Sequence, residues 1–123
     1  MSEEPVRILV VDDDPLVAGL MADILLADGR EVDLAANGRE ALERIAVRSY
    51  DLIVSDLRMP EVDGVALYHE IARRHPALLE RLVFVSGTTE PPEYATFLRE
   101  TKATILTKPF AVEALQELVA RSL

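Results

Sequence analysis

The chain has 123 residues, of which half are hydrophobic and 28% are charged, the proportions of an ordinary globular domain with one core. Its net charge of −9 argues against direct nucleic-acid binding, because phosphate backbones attract clustered lysines and arginines. The chain has no cysteine, which excludes disulfides and thiol chemistry, and it has no apolar run long enough to cross a bilayer. We therefore expect a cytoplasmic protein that does not insert into membranes.

Strand-like and helix-like hydrophobic patterns alternate from the start of the chain. Residues 6–11 are mostly apolar and rich in β-branched residues, which is typical of a strand covered on both faces. Asp14 followed by Pro15 predicts the start of a helix, and Gly29 predicts its end. The periodicity predicts that one stripe of this helix is buried, formed by Leu16, Val17, Leu20, Met21, Ile24 and Leu25.

The middle of the chain repeats the alternation. Residues 31–35 read as a second strand, and Asn37 with Glu40 has the spacing of a capping box that opens the next helix. Residues 52–55 read as the third strand. A third helix is predicted to begin at Gly64 and to turn Leu67, Tyr68 and Ile71 inward.

The last third of the chain adds two more strand–helix units. Residues 81–85 and 104–107 read as strands, and a short helix beginning near Pro92 separates them. The final helix is predicted to bury Val112, Leu115, Leu118 and Val119. Five alternating units predict an α/β fold with a parallel sheet and helices on both faces, because parallel crossovers need a covering element. We expect residues 1–123 to form one domain.

Polar side chains follow the predicted strands where functional groups of such sheets lie, at the carboxyl ends. The residues at these positions are Asp12, Asp13 and Asp14 after the first strand, Ser55 and Asp56 at the third, Ser86 and Gly87 at the fourth, and Lys108 and Pro109 at the fifth. Crowded carboxylates repel one another and need a cation. Oxygen ligands without His or Cys favour Mg²⁺ or Mn²⁺, and a metal beside a lysine and a hydroxyl suits a phosphoryl group.

The same segments resemble the receiver domains of response regulators in two-component signalling. The resemblance lies in residues 8–14, 52–60, 83–87 and 108–110, together with Asp63-Gly64, and these span almost the whole chain in the family's order. It implies a flavodoxin-like (βα)5 fold with strand order 2-1-3-4-5. Residues 97–110 resemble receivers attached to hybrid sensor histidine kinases, so the domain is expected either to stand alone or to belong to a longer protein.

By this resemblance, Asp56 accepts a phosphoryl group from a phosphohistidine on a histidine kinase or a phosphotransfer domain. The implied magnesium ligands are Asp13, Asp56 and the backbone carbonyl of Arg58, with Asp12 acting through water. Lys108 and Ser86 would contact the phosphoryl oxygens, and the Lys108–Pro109 peptide would be cis. The chain would thus be a phosphoacceptor that assists its own phosphorylation and dephosphorylation rather than an enzyme.

The resemblance also assigns switching and lifetime-tuning positions. Arg58 and Thr88 stand where the family tunes the phosphoryl lifetime. Ser86 and Ile105 stand at the switch positions, but the family usually carries an aromatic residue where this chain has Ile105. We expect Ser86 and residues 87–92 to move on phosphorylation, with a weaker or different readout at Ile105.

The predicted output surface is formed by the fourth helix, fifth strand and fifth helix, which would contact a downstream protein or a second copy of the chain. Two other interpretations stay open from the sequence. One is a receiver-like interaction module that takes no phosphate. The other is a phosphohydrolase of the haloacid dehalogenase type, suggested by the Asp12-Asp13-Asp14 run, although it leaves Asp56 unexplained.

Overall fold

A computed structural model describes residues 5–87 and 92–123, and the described residues form five strands and five α-helices in alternation. None of these helices is long and apolar enough to span a membrane. In chain order the elements are β1 (Arg7–Val11), α1 (Pro15–Ala27), β2 (Glu31–Ala35), α2 (Gly38–Val47), β3 (Leu52–Asp56), α3 (Gly64–Arg74), β4 (Leu82–Ser86), α4 (Pro92–Thr101), β5 (Thr104–Thr107) and α5 (Val112–Ser122).

The strands form one parallel sheet in the order β2-β1-β3-β4-β5, which confirms the predicted fold. The register pairs Val11 with Ser55 and Ser86 with Thr107, so the strands end at a common edge. The residues that follow β1, β3, β4 and β5 therefore meet at this carboxyl edge.

Two layers of apolar side chains cover the two faces of the sheet. Ile8 and Val10 of β1 pack with residues of α1 and α5, whereas Leu9 and Val11 pack with residues of α2, α3 and α4. Successive side chains of a strand point to opposite faces, so an uninterrupted apolar strand serves both layers. The apolar runs of the sequence thus reflect burial on both sides.

Two strand boundaries differ from the predicted ones in a way that matters for the site. β3 extends to Asp56, and β4 runs from Leu82 to Ser86 instead of over residues 81–85. Arg81 belongs to a 3₁₀ helix, Pro76–Arg81, which the sequence patterns did not predict. Asp56 and Ser86 are consequently held by the sheet itself. At the other end of the sheet, β1 begins at Arg7, one residue later than predicted.

The predicted buried stripe of α1 is wrong at two positions. Leu16 and Leu20 are 83% and 53% exposed, and the helix instead buries Met21, Ile24 and Leu25 with two alanines, Ala18 and Ala22. At 100° per residue, Leu16 lies half a turn away from Leu25, on the opposite side of the helix. Because alanine is only weakly hydrophobic, the buried Ala18 and Ala22 do not stand out in the sequence, and the larger leucines make the predicted stripe wider than the buried one. The prediction for Val112 in α5 is also wrong, since this first-turn side chain is 44% exposed.

Candidate functional site

The three aspartates after β1 separate into different environments. Asp14 is exposed and caps α1, because its Oδ1 accepts the Leu16 N–H at 3.0 Å. Asp12 is 3% exposed, and its Oδ1 accepts the Asp14 N–H at 2.9 Å. Asp13 is exposed. Asp14 is thus occupied as a helix cap, and Asp12 and Asp13 supply the free carboxylate oxygens.

Asp56 ends β3 and is 6% exposed. Its Oδ1 accepts the Arg58 N–H at 3.4 Å, a long bond that orients the carboxylate. Behind it, Gly64 packs so closely that a Cβ there would lie 2.8 Å from Leu57 Cα and 2.9 Å from the Asp56 carbonyl oxygen. The Gly64 N–H donates to the Leu57 carbonyl at 2.8 Å. The start of α3 therefore packs against the backbone of Asp56 and Leu57 and fixes its position.

β4 and β5 bring a hydroxyl and an amine to the same edge. The backbone N–H of Lys108 donates to the Ser86 carbonyl at 2.8 Å, and the Lys108–Pro109 peptide is cis, as the resemblance implies. Lys108 Nζ donates to Asp56 Oδ2 at 3.2 Å and lies 3.6 Å from Asp12 Oδ2. The Ser86 hydroxyl donates to the Gly87 carbonyl at 3.3 Å. The amine thus stands between two carboxylates.

Burial dominates the electrostatics of the two inner carboxyl groups. It raises the pKa of Asp12 and of Asp56, and the attraction of Lys108 offsets only part of this effect. Burial alone would lower the pKa of the Lys108 amine, but Asp56 and Asp12 outweigh it and the net pKa is raised. Lys108 is therefore a cation at neutral pH, and ionising both carboxyl groups is costly without a further cation.

The donor set fits a hard divalent cation. Asp12, Asp13 and Asp56 each offer a carboxylate oxygen, and these oxygens lie within 4.8 Å of one another. Asp12 Oδ2 is buried and has no hydrogen-bond partner among the described residues. A buried carboxylate oxygen without a partner is destabilising unless a cation or water meets it. Oxygen ligands alone favour Mg²⁺ over softer metals.

The remaining predicted residues lie around this group. Arg58 is exposed two residues beyond Asp56, and Ile105 is 40% exposed on β5, in register with Phe84. Thr88 lies outside the described residues. All other predicted site residues meet at the carboxyl edge.

Residues 57–63, which link β3 to α3, are anchored by hydrogen bonds to three helices, α2, α3 and α4. The Gly38 N–H donates to the Val62 carbonyl at 3.1 Å. Asp63 Oδ1 caps α3 by accepting the Ala66 N–H at 2.9 Å, and Asp63 Oδ2 accepts the Tyr94 hydroxyl of α4 at 2.9 Å. Only the cap has a sequence signal, an aspartate before Gly64. The contacts to α2 and α4 depend on how distant helices pack.

Comparison with known sequences gives one consistent answer. Residues 8–120 match the family described as the response regulator receiver domain. The transcriptional regulatory protein GlrR of Escherichia coli K12 is 33% identical over 119 residues, which are 97% of this chain and 26% of that protein. The chain spans about a quarter of the length of GlrR and of the other first relatives it matches.

Solved structures agree with the sequence comparison. The chemotaxis protein CheY4 of Vibrio cholerae superposes with a TM-score of 0.86 at 29% identity, covering 98% of this chain and all of that one. The signal receiver domain of a signal transduction histidine kinase from Syntrophus aciditrophicus gives a TM-score of 0.85 at 32% identity, with coverage of 96% and 89%. Both similarities extend over the whole sheet and its helices.

Proposed function

The chain belongs to the response regulator receiver family, and on that premise we propose that Asp56 accepts a phosphoryl group from a phosphohistidine of a partner protein. The observation that carries the proposal is the meeting of Asp56 with Lys108 at 3.2 Å beside two further carboxylates. A cationic amine and a divalent cation on an acidic nucleophile offset the charge of an incoming phosphoryl group.

In the proposed reaction, a carboxylate oxygen of Asp56 attacks phosphorus while the bond from phosphorus to the imidazole nitrogen breaks. The phosphohistidine ring is protonated at its other nitrogen, so when the first nitrogen keeps the bonding electron pair the partner is left with a neutral imidazole. Lys108 then neutralises a phosphoryl oxygen as a point charge, and the Ser86 hydroxyl turns from the Gly87 carbonyl to donate to another. Loss of the phosphoryl group to water would return Asp56 to its carboxylate.

The proposed magnesium ligands are Asp13, Asp56 and the carbonyl of Arg58, with Asp12 acting through water. Support comes from the clustering of the three carboxylates and from Asp12 Oδ2, which is buried and accepts no hydrogen bond among the described residues. When bound, Mg²⁺ (or Mn²⁺) would draw charge from the phosphoryl oxygens during transfer. The protein's own part is to place Asp56 in line with the donor, with the Lys108 amine beside it.

Incubation with a small phosphodonor and Mg²⁺, followed by intact-mass measurement, tests the proposal. The unchanged chain should gain the mass of one phosphoryl group, and Asp56→Asn should gain none. Asp14→Asn is the matched control, because asparagine also caps helices and Asp14 is already occupied in that role. A chain that gains no mass under any condition would instead support the interaction-module interpretation. Sustained phosphate release that is lost in Asp12→Asn but kept in Asp56→Asn would support the phosphohydrolase.

A phosphohistidine partner has to approach the carboxyl edge, and an apolar surface lies beside it. Leu16 and Leu20 are exposed in the first half of α1, directly after Asp14. We assign these leucines to docking of the histidine kinase or phosphotransfer domain. Leu16→Ser should slow phosphotransfer from such a partner without changing labelling by a small phosphodonor. Val47→Ser, at a similarly exposed position near the end of α2, should change neither.

Arg58 is proposed to tune the lifetime of the phosphoryl group. Its backbone N–H contacts Asp56 Oδ1, and its exposed side chain starts beside the site. A guanidinium over the phosphoryl group would obstruct the hydrolytic water. Arg58→Ala should therefore change the rate of phosphoryl loss, measured by the decay of the phosphorylated mass, while Arg121→Ala at the far end of α5 should not. An unchanged rate in Arg58→Ala removes this role.

Phosphorylation is proposed to act on the surface of α4, β5 and α5. A phosphoryl group adds a charge of about −1.5 to −2, enough to shift an equilibrium between two conformations. Ile105 and Val112 are exposed on this surface, at 40% and 44%, and offer an apolar contact to a downstream protein or to a second copy. The proposed setting is the cytoplasm, and the acidic domain itself is not assigned to nucleic acid.

A further inference from the structure

Helix α4 is held to the rest of the protein by few contacts. Phe97 is its one buried residue among those described. The Phe97 ring meets the edges of Tyr68 and Phe84, with ring centroids 5.1 and 5.6 Å apart. Leu98 and Tyr94 are only partly buried against the same layer. A helix with a single buried side chain can shift on the sheet at low cost, so a hydrogen bond to a neighbouring element has a large influence on its position.

Tyr94 supplies such a tie. It lies one turn before Phe97 on α4, packs against the same apolar layer, and donates its hydroxyl to Asp63 Oδ2 at 2.9 Å. By contrast, the hydroxyls of Thr96 and Thr101 donate to carbonyls within α4 itself. Tyr94 therefore reaches a different element through a hydrogen bond to a charged acceptor, which is the stronger kind.

Asp63 connects this bond to the phosphoacceptor. It closes the segment 57–63 that begins immediately after Asp56 and includes Arg58, and its other carboxylate oxygen caps α3. A displacement of this segment moves Asp63, and the bond to Tyr94 passes the displacement to α4. Ile105 has no polar group with which to make a comparable bond.

We propose that the Tyr94–Asp63 hydrogen bond is the positioning contact through which a change at Asp56 reaches α4. Tyr94 is thus a positioning residue, which acts through Asp63 and the segment 57–63 and not on the phosphoryl group itself. The ligand-dependent part of this inference rests on the proposed phosphorylation of Asp56. The bond itself exists without a phosphoryl group, so its effect on α4 can be measured independently.

The first measurement uses the ligand-free chain. Tyr94→Phe keeps the ring and removes the hydroxyl, and Tyr68→Phe does the same for the α3 tyrosine that packs against Phe97. Amide hydrogen exchange in α4 should become about 2- to 10-fold faster in Tyr94→Phe, the range expected for one net hydrogen bond, and should not change in Tyr68→Phe. Exchange in α5 serves as the internal reference. Equal α4 exchange in the unchanged chain and in Tyr94→Phe overturns the inference.

The second measurement adds beryllofluoride and Mg²⁺, which imitate an aspartyl phosphate, and follows amide chemical shifts. In the unchanged chain, amides near Asp56 and amides of α4 should respond together. In Tyr94→Phe, the response near Asp56 should persist, while the response of α4 should fall at least about twofold. An undiminished α4 response, or loss of the response near Asp56 in a folded Tyr94→Phe chain, contradicts a relay through this bond.

The two measurements separate the inference from the function it rests on. If the unchanged chain shows no response near Asp56, the proposed phosphorylation fails, and so does any transmission from it. Faster α4 exchange in Tyr94→Phe would then show that the hydrogen bond stabilises α4 but transmits no change from Asp56. If the unchanged chain responds and Tyr94→Phe responds identically in α4, only the relay is refuted.

Discussion

Lys108 stands where a divalent cation would also be attracted. Its Nζ lies 3.2 Å from Asp56 and 3.6 Å from Asp12, so in the metal-free chain it already offsets part of their negative charge. A cation that binds these carboxylates must share them with the amine. We therefore expect the lysine to strengthen binding of the phosphoryl group and to weaken binding of the metal.

Replacing Lys108 with methionine should therefore strengthen Mg²⁺ binding while weakening retention of the phosphoryl group. We expect about two- to fivefold tighter binding, the contribution of one partly exposed charge pair, measured by titration of site amides with Mg²⁺. Lys102→Met removes an exposed lysine elsewhere and is the control. Weaker Mg²⁺ binding in Lys108→Met would show instead that the amine helps to assemble the site.

Asp12 offers a test of how costly its ionised form is. Burial raises the pKa of Asp12, so the folded chain holds this proton more tightly than the unfolded chain. The ionised carboxylate therefore lowers the free energy of unfolding at neutral pH. This loss of stability decreases as the pH falls through the raised pKa. Asp12→Asn should stabilise the metal-free chain at neutral pH by on the order of 1 kcal/mol. Urea unfolding of both chains between about pH 7 and pH 4 measures the difference, which should shrink toward the acid end.

Asp13→Asn is the control for that measurement, because Asp13 is exposed and its substitution removes a charge without removing a buried carboxyl. A gain in stability of equal size in both variants would mean that net charge, and not burial, is responsible.

At the scale of the elements, the turn from β3 into α3 relies on a close approach of backbones. Gly64 lies against Leu57 and the carbonyl of Asp56, with no room for a side chain. Gly19, in the middle of α1, has nothing within 4 Å of a Cβ built there. The two glycines are therefore opposite cases of the same substitution.

Gly64→Ala should destabilise the chain by about 1–3 kcal/mol, because leucine and backbone atoms must move to admit the methyl group. Gly19→Ala should stabilise it by about 0.5–1 kcal/mol, because alanine is the better helix former. Thermal unfolding of the two variants provides the comparison. Mass labelling of Gly64→Ala should also be slower, since Asp56 is displaced, and normal labelling with normal stability would show that the turn relaxes freely.

Sequence periodicity predicts a helix or strand well where burial of apolar side chains alone determines it. The sequence predicts β1, β3 and β4 from short apolar runs rich in β-branched residues, whereas in β2 apolar and acidic residues alternate. Arg81 was misassigned because the 3₁₀ helix that begins at Pro76 has no distinct pattern. Leu16 was misassigned because a leucine pattern does not distinguish a core face from an exposed apolar face.

The grouping of the site residues could be predicted from the sequence, but the contacts between helices around the site could not. Parallel strands bring their ends together, so Asp13, Asp56, Ser86 and Lys108 could be grouped without coordinates. The Tyr94–Asp63 bond could not be predicted, because it joins residues 31 positions apart through the packing of α4. Interactions between helices depend on tertiary packing that no local pattern records.

Across the molecule, the two apolar layers share four strands of the central sheet, β1 to β4. Leu25 belongs to the layer with α1 and α5, whereas all three tyrosines, Tyr50, Tyr68 and Tyr94, belong to the opposite layer. If residues 1–123 form one cooperative domain, as we propose, damage to one layer must be felt in the other.

Leu25→Ala should cost about 2–5 kcal/mol, the range for truncating a buried leucine. Tyrosine fluorescence should report the same lowered denaturant midpoint as far-ultraviolet circular dichroism, although every tyrosine lies across the sheet from the substitution. Leu26→Ala is the control. Leu26 follows Leu25 in the same helix but is 53% exposed, so its truncation should change the midpoint little. Two separated transitions in Leu25→Ala would show that the layers unfold independently.

The anchoring of residues 57–63 limits how this protein can vary in length. The Val62 carbonyl accepts a hydrogen bond from the start of α2 and the Leu57 carbonyl accepts one from the start of α3, so the number of residues between them is fixed. An added residue would break one of these hydrogen bonds and displace the backbone that follows Asp56. Tags or inserted peptides are therefore better tolerated at Gly29, where the left-handed turn between α1 and β2 lies at the opposite edge and a built Cβ would meet nothing.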